Sequence, residues 1–255
     1  MKIKIITLPY AKERQEKTKI NFDLFDLTFE FVNGIEFEDC IFYTEMGNST
    51  SYVTCKDKTF FINEEKIINY TNRKWIRFGE IGAYLAHYFI WKDFLKSSDE
   101  HIVICEDDAE PKSNLSGLKT LFQNSNVDFL NLQAVTAHYQ SKKQMFDSNI
   151  VEYEEPGVVK YKHNIPLLCE GLAAYAINRK AAKILCEYIE IHGFVGPNDC
   201  LTAQLAMQNI LSMYSPYDID NYFMLDKQTY HTSYTHSGEF KPYMKMNSIT
   251  LNVKV

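Results

Sequence analysis

The sequence predicts an α/β protein, a single domain with a mostly parallel central sheet flanked by helices. A strand, a helix and a second strand follow one another at residues 3–8, 11–20 and 29–32, the order of a parallel βαβ unit. A later apolar run, residues 102–105, is short and continuous, as in a strand buried on both faces. The length of 255 residues suits one large domain and does not force a division into two.

The composition limits the classes of partner. The net charge of −6 gives no overall basic field for nucleic acid or an anionic membrane, so we expect no nucleic-acid partner. The first apolar run is too short for a signal peptide, and no segment has the length of a membrane span. The six cysteines are widely spaced without a C-x-x-C pair, which favours reduced thiols over a zinc ribbon or a disulfide framework. These features predict a cytoplasmic protein.

The elements of the first βαβ unit each have a local signal. Residues 3–8 are mostly apolar, and residues 11–20 combine helical spacing with strong helix formers. Residues 29–32 alternate like a strand and stop at Asn33-Gly34, a turn signal. Residues 46–74 then become polar, and we expect loops there with a hairpin around residues 59–62.

The clearest helix of the first half covers residues 79–96. One face carries a predicted buried stripe made of Ile81, Leu85, Tyr88 and Phe89. On another face Glu80, Ala83 and His87 fall at i, i+3 and i+7, with a small residue between an acid and an imidazole. This face leaves room for a ligand. The alternative is a histidine at the edge of the core and a glutamate favoured by the helix dipole.

Three adjacent carboxylates, Glu106, Asp107 and Asp108, follow the apolar strand. Open α/β folds place ligands at the carboxyl ends of such strands. Neighbouring carboxylates repel one another, and this raises their pKa values unless a cation is present. Because Mg²⁺ and Mn²⁺ prefer oxygen ligands, the stretch predicts a divalent-cation site. A solvated acidic turn is the alternative.

The next elements are a predicted helix at residues 114–123 and a strand at residues 128–132. Residues 133–155 are polar and irregular. A loop of this length inside a compact domain is often a lid or a binding loop, and a disordered insertion is the alternative.

A strand at residues 173–177 leads to Asn178, which we expect to cap the N-terminus of the following helix. Residues 196–199 begin another helix, whose apolar positions are Leu201, Leu205 and Ile210. Asp199 lies in its first turn. Capping alone explains an aspartate there, and a chemical role is the alternative.

The C-terminal part is rich in tyrosine and histidine. Its imidazoles, His231 and His236, are candidates to reach a metal ion bound elsewhere in the domain. Residues 241–246 are basic and partly apolar, which suits either weak contact with an anionic surface or a solvated end.

Several of these segments share their order and spacing with one family. They are residues 5–8 with Glu13 and Arg14; residues 79–82 with His87 and Trp91; residues 103–108; and Gly171, Tyr175, residues 176–182 and residues 197–199. Together they resemble glycosyltransferase family 25, which includes lipopolysaccharide-type β-galactosyltransferases and collagen galactosyltransferases. The chain departs from the family pattern at Ala83, Ala86 and Asn178, where the family usually has Cys, Ser and Ser. These departures concern substrate detail, because the carboxylates are retained.

The resemblance implies a GT-A fold, a UDP-sugar donor with galactose as the expected sugar, and inversion at the anomeric centre. It implies an Mn²⁺ or Mg²⁺ ion on Asp108 with Glu106 or Asp107, with His231 or His236 as a possible third ligand. Asp199 matches the aspartate of the family's P-x-D element and becomes the expected catalytic base. The donor-binding residues that the resemblance implies are Thr7, Leu8, Arg14, Glu80, His87, Glu106, Asp107 and Gly171.

Within the single domain of residues 1–255, we expect residues 1–125 to bind the nucleotide sugar and residues 126–255 to face the acceptor. The family suggests a lipid-linked or oligosaccharide acceptor of the lipopolysaccharide or lipooligosaccharide core type. This acceptor would be met at the cytoplasmic face of the inner membrane, with weak peripheral contact. Two alternatives remain: a metal-dependent nucleotidyltransferase or phosphohydrolase, and a non-catalytic saccharide-binding protein with the same fold.

Overall fold

The structure, a computed structural model of the chain, describes residues 1–45, 50–71, 78–123, 127–133, 151–155, 158–161, 172–216 and 222–225. The helices are α1 (Lys12–Asp23), α2 (Glu64–Thr71), α3 (Phe78–Lys96), α4 (Leu118–Gln123), α5 (Arg179–His192) and α6 (Asn198–Met207). The strands are β1 (Lys2–Thr7), β2 (Glu30–Asn33), β3 (Cys40–Thr44), β4 (Ser51–Cys55), β5 (Lys58–Ile62), β6 (His101–Glu106), β7 (Ala109–Pro111), β8 (Phe129–Asn131), β9 (Val151–Glu155), β10 (Val158–Tyr161), β11 (Ala174–Asn178), β12 (Met213–Pro216) and β13 (Phe223–Leu225).

The central sheet has eight strands in the order β2-β1-β6-β11-β8-β12-β10-β9. β2, β1 and β6 are parallel neighbours, and β12 is parallel to β8. β11 is antiparallel to both β6 and β8, and β10 is antiparallel to both β12 and β9. Six of the eight strands therefore run in one direction, with β11 and β10 opposed. This confirms the predicted mostly parallel sheet.

Apolar side chains cover both faces of this sheet. Along β6, Ile102 and Ile104 pack into one cluster, while Val103 and Cys105 pack into the other. The first cluster includes side chains of α3, α5 and α6, and the second includes side chains of α1 and α4. The prediction that β6 is buried on both faces is confirmed, as are flanking helices on the two sides of the sheet.

Helix α3 lies between the central sheet and a second, antiparallel sheet of order β3-β4-β5. On one side the Tyr88 ring packs edge-on against Phe60 of β5, with centroids 5.0 Å apart. On the other side Trp91 reaches Tyr175 of β11. The predicted hairpin is confirmed, and the predicted stripe is buried except for the half-buried Phe89. The buried surface is wider than that stripe because α3 has a sheet on each side.

A glycine permits the close approach of α3 to the chain after β2. A Cβ atom at Gly82 would lie 2.3 Å from the backbone oxygen of Ile35. We expect Gly82→Ala to lower the free energy of unfolding by about 1–3 kcal/mol through overpacking, although alanine has the higher helix propensity. Denaturant unfolding monitored by circular dichroism measures the change.

The control is Gly117→Ala, where the added Cβ would meet only the Tyr222 hydroxyl at 3.4 Å, an ordinary contact. We expect this variant to stay within about 0.5 kcal/mol of the wild type. Equal stability of the Gly82→Ala and Gly117→Ala variants would show that α3 does not need the close approach.

The start of α5 is fixed by two neighbouring residues. The Asn178 side chain accepts a 2.8 Å hydrogen bond from the backbone N–H of Ala181, which confirms the predicted N-cap. The Arg179 guanidinium donates to carbonyl oxygens at the C-terminal end of α3 and just beyond it, namely those of Phe94, Leu95, Ser97 and Asp99. The last carbonyls of a helix lack an N–H four residues ahead within the helix, and the Phe94 carbonyl also accepts from the Ser97 N–H over 3.0 Å. Arg179 thereby joins α5 to the end of α3.

Four sequence predictions need correction. A helix, Glu64–Thr71, forms within residues 46–74, where loops and a hairpin were expected. The helix predicted at residues 114–123 begins only at Leu118. Ile210 was expected on the buried face of α6 but is 43% exposed, because α6 ends at Met207 and Asn209 has a left-handed φ of 56°. In the segment expected to be irregular, Val151–Glu155 forms β9; residues 134–150 lie outside the described residues. Within the described ranges, no helix is long and apolar enough to cross a membrane.

Candidate active site

The candidate site lies where β1 and β6 end. These strands are parallel neighbours, with Ile6 opposite Glu106. Thr7 follows Ile6, and Asp107 and Asp108 follow Glu106, so one edge of the sheet receives all of these side chains. The predicted position of the carboxylates at the carboxyl edge of the sheet is confirmed.

Asp107 is bound on both carboxylate oxygens. Thr7 Oγ1 donates a 2.6 Å hydrogen bond to Oδ2, and Arg14 of α1 forms an ion pair with Oδ1. The hydroxyl of Thr18, one turn beyond Arg14, lies 3.0 Å from the Asp107 backbone oxygen and 2.8 Å from the Arg14 backbone oxygen, so its one hydrogen is shared between the two acceptors. These contacts attach α1 to the acidic turn. The sequence analysis did not single out Thr18, although its i+4 spacing from Arg14 places the two on one helix face.

Asp108 is buried beside this pair, with 7% of the residue exposed. Its Oδ2 lies 3.7 Å from Arg14 Nη2, and its buried Oδ1 has no hydrogen-bond partner. Burial and, second, the Glu106 charge raise the pKa of Asp108 to about 7. Burial also raises the pKa of Asp107, against the opposing effect of Arg14. The sequence predicted raised pKa values from mutual repulsion. The direction is confirmed for Asp107 and Asp108, but burial is the larger cause at both.

The carboxylates fit a divalent ion that shares its ligands with a phosphate. Among the residues with described positions, no group of three or more His, Cys, Asp or Glu side chains is placed to hold a metal ion alone. Ions such as Mg²⁺ commonly use only one or two carboxylates together with substrate phosphates. Since Thr7 and Arg14 occupy Asp107, the available pair is the unpartnered Asp108 oxygen and Glu106, whose side chain is 39% exposed.

His87 contacts this group from α3. Its Nε2 lies 3.6 Å from Glu106 Oε1, and its Nδ1 lies 2.6 Å from the Tyr175 hydroxyl. Trp91 Nε1 donates to the same hydroxyl oxygen over 2.9 Å. The sequence analysis placed Trp91 and Tyr175 in motifs without a role for either. The i+4 spacing of His87 and Trp91 was the available signal, because it places both on the face of α3 toward β11.

Leu8 and Glu80 do not belong to this cluster of side chains. The Leu8 carbonyl accepts hydrogen bonds from the Ala11 N–H (3.0 Å) and from Gln15 Nε2 (2.9 Å). Glu80 is in the first turn of α3, seven residues before His87 and therefore about 10 Å away along the helix axis. The structure thus brings together six of the predicted site residues: Thr7, Arg14, His87, Glu106, Asp107 and Asp108.

Asp199 lies in the first turn of α6, as predicted. Its Oδ1 accepts a 2.8 Å hydrogen bond from the Cys200 backbone N–H within that turn. The N-cap residue itself is Pro197, which makes no side-chain cap. The residue before Asp199, Asn198, is 7% exposed, and its buried Oδ1 has no hydrogen-bond partner. No sequence signal pointed to this buried, unpartnered oxygen.

Three predicted site residues, Gly171, His231 and His236, lie outside the described residues. The same is true of the basic tail at residues 241–246.

A search of curated proteins gives no match. Among solved structures, the chain is similar to mouse xyloside xylosyltransferase 1 in its apo form, with a TM-score of 0.36 and 10% sequence identity. That similarity covers 82% of this chain and 70% of the mouse chain.

A family profile gives the assignment. The profile of glycosyltransferase family 25, described as a lipopolysaccharide biosynthesis protein, matches residues 1–202. The matched region contains the acidic end of β6, helices α1 and α3, the Tyr175 strand and Asp199. The chain therefore belongs to glycosyltransferase family 25 and is a glycosyltransferase.

Proposed function

We propose that this glycosyltransferase transfers a sugar, with galactose expected, from a UDP-sugar to a lipopolysaccharide or lipooligosaccharide core or a related glycan. Transfer would proceed with inversion and with Mn²⁺ or Mg²⁺. One observation carries the proposal: Thr7 and Arg14 bind Asp107, whereas Asp108 Oδ1 is buried without a partner next to the partly exposed Glu106. That arrangement suits a divalent cation that also binds the diphosphate of the donor at this edge of the sheet.

On the donor side, Glu106 and Asp108 would hold the divalent ion, and the end of β1 at Thr7 and Leu8 would lie near the uridine. The ion supplies Lewis-acid stabilisation of the charge on the departing diphosphate. The chain's own contribution is the fixed position of the carboxylates, because Arg14 and Thr18 attach α1 to the acidic turn. Pre-organised charges of this kind stabilise a transition state without reorganising during the reaction.

On the acceptor side, Asp199 would remove the proton from the attacking hydroxyl. The hydroxyl oxygen then forms the bond to the anomeric carbon as the bond to the diphosphate oxygen breaks, and that electron pair leaves with UDP. Attack from the face opposite the leaving group inverts the centre. The family description, a lipopolysaccharide biosynthesis protein, supports an acceptor of this type, and we propose that it is met at the cytoplasmic face of the inner membrane.

The test incubates the protein with UDP-galactose, UDP-glucose or UDP-N-acetylglucosamine, a lipooligosaccharide core acceptor and Mn²⁺. We expect UDP release coupled to glycan extension with UDP-galactose, and a new linkage of inverted anomeric configuration by NMR. EDTA should abolish transfer, and excess Mn²⁺ should restore it. Without the ion, the negative carboxylates cannot stabilise the negative charge on the departing diphosphate. Full transfer in EDTA would contradict the metal requirement.

The two alternative functions give different products in the same assay. A nucleotidyltransferase or phosphohydrolase would release sugar-1-phosphate, whereas a transferase releases UDP. A non-catalytic saccharide-binding protein would bind UDP without turnover with any acceptor. Either outcome would replace the proposed activity.

A further inference from the structure

Three polar aromatic side chains form a buried chain behind Glu106. The Trp91 indole N–H donates to the Tyr175 hydroxyl oxygen over 2.9 Å, and that hydroxyl lies 2.6 Å from Nδ1 of His87. Each of the three residues is at most 1% exposed. Water therefore does not compete for these hydrogen bonds, and the protein groups must satisfy one another.

The donors and acceptors of this chain can be assigned in one consistent way. The indole nitrogen only donates, so it occupies a lone pair of the Tyr175 oxygen. Burial raises the pKa of Tyr175 well above its ordinary value, so the phenol keeps its proton. A buried hydroxyl proton without an acceptor is costly, and His87 Nδ1 lies within hydrogen-bond distance to accept it. Nδ1 then carries no hydrogen, and the neutral imidazole has its hydrogen on Nε2.

We propose that Trp91 and Tyr175 fix His87 as the Nε2–H tautomer and so direct a hydrogen-bond donor at the Glu106 carboxylate. They are positioning residues, since they act through His87. Nε2 lies 3.6 Å from Glu106 Oε1, slightly beyond hydrogen-bond length, and a small rotation of the partly exposed Glu106 side chain closes this gap. The inference rests on the proposed function in one respect, the participation of Glu106 in binding the donor.

A directed donor matters here because Glu106 is the least constrained of the three acids. Asp107 is bound by Thr7 and Arg14, and Asp108 is buried. A glutamate at a partly exposed strand end would otherwise sample several rotamers, and ordering it costs side-chain entropy. A donor on Oε1 leaves Oε2 available for the ligand. Outer partners that orient a ligating carboxylate in this way typically change affinity or activity by about 10–100-fold.

The test uses Tyr175→Phe, which removes the hydroxyl and keeps the ring that stacks on Phe129 at 4.9 Å. Imidazole ¹⁵N NMR of the free protein reports the tautomer, and His87→Gln identifies the His87 signals. In the wild type we expect a hydrogen-bearing Nε2 and a bare Nδ1. In Tyr175→Phe the two nitrogen signals should move toward each other, because nothing then donates to Nδ1. The affinity for UDP in the presence of Mn²⁺ should fall by about 10–100-fold.

Tyr84→Phe is the matched control. Tyr84 is a fully buried tyrosine of α3, the helix that carries His87, and its hydroxyl donates to the Gly193 carbonyl over 3.0 Å. The Tyr84→Phe variant loses one buried hydrogen bond that is not part of the Trp91–Tyr175–His87 chain, so the His87 signals and the UDP affinity should match the wild type. If Tyr175→Phe does not fold, Trp91→Phe tests the same chain, because it frees the Tyr175 oxygen to accept from Nδ1 and weakens the tautomer preference.

A hydrogen on Nδ1 in the wild type, or unchanged His87 signals in Tyr175→Phe, would overturn the inference. A shifted tautomer with unchanged UDP affinity would also overturn it, because His87 would then not position Glu106. Failure of the proposed function would look different from failure of this inference, because the wild type itself would not bind UDP. The tautomer measurement in the free protein would still decide whether Tyr175 sets the tautomer of His87.

Discussion

The Asp108→Asn variant should lose all measurable sugar transfer and all metal-dependent UDP binding. Asparagine has nearly the size of aspartate but no charge, and the affected oxygen is the buried, unpartnered Oδ1 that we assign to the divalent ion. Without this charge, Glu106 remains as the available carboxylate at the strand end, since Arg14 and Thr7 occupy Asp107. The measurements are glycan extension by mass spectrometry and UDP titration calorimetry with and without Mn²⁺.

The stability of the same variant gives an independent check that it folds. Because burial raises the pKa of Asp108 from 3.8 to about 7, the folded metal-free protein binds more protons than the unfolded chain between these values. The free energy of unfolding therefore falls as the pH rises from about 4 to about 7. Asparagine has no proton to lose. We expect Asp108→Asn to make this decrease smaller, with the remainder due to Asp107, whose pKa burial also raises. The variant should unfold at higher denaturant concentration than the metal-free wild type at pH 8.

Glu110→Gln is the matched control for Asp108→Asn. Glu110 lies two residues further along the chain and forms ion pairs with Lys17 and Lys112 at a partly exposed position. Its loss removes one negative charge from the same neighbourhood without removing a candidate ligand. We expect transfer close to that of the wild type. Equal transfer by the Asp108→Asn and Glu110→Gln variants would remove Asp108 from donor binding.

The parts of this fold that are encoded locally were predictable from the sequence. The carboxyl end of β6 follows from a short apolar run, and the Asn178 cap follows from one residue type at one position. The end of α6 was not predictable in this way. Asn209 adopts a left-handed φ that stops the helix, so Ile210 leaves the periodic pattern. Hydrophobic spacing alone does not reveal where the backbone departs from a helix.

The site shows the same division between local and tertiary information. The three carboxylates were visible as neighbours in the chain, but their charge balance depends on Arg14, which is 93 residues from Asp107 in the sequence. The larger cause of the raised pKa of Asp108 is burial, a property of the packed helices and sheet. Likewise, the contact of His87 with Tyr175 joins α3 to β11. Their spacing in the sequence carries no signal of hydrogen bonding.

The Asp199→Asn variant should lower the rate of transfer by about 10²–10⁴-fold, the contribution usual for a general base. UDP binding should match the wild type, because Glu106, Asp108 and Arg14 are unchanged. Asparagine keeps a side-chain oxygen that can accept from the Cys200 N–H, as Asp199 does now. The substitution therefore preserves this first-turn hydrogen bond and removes the basicity. Single-turnover kinetics with a saturating acceptor separate the chemical step from binding.

Loss of a negative charge in the first turn of a helix also has a small effect on stability, about 0.3–1 kcal/mol. Glu65→Gln controls for this effect, because Glu65 is an exposed acid in the first turn of α2. We expect similar changes in stability for the two variants and a loss of transfer only for Asp199→Asn. If Asp199→Asn transferred sugar at the wild-type rate, the role of Asp199 would be limited to its hydrogen bond in the first turn of α6. Another group would then have to take the proton from the acceptor hydroxyl.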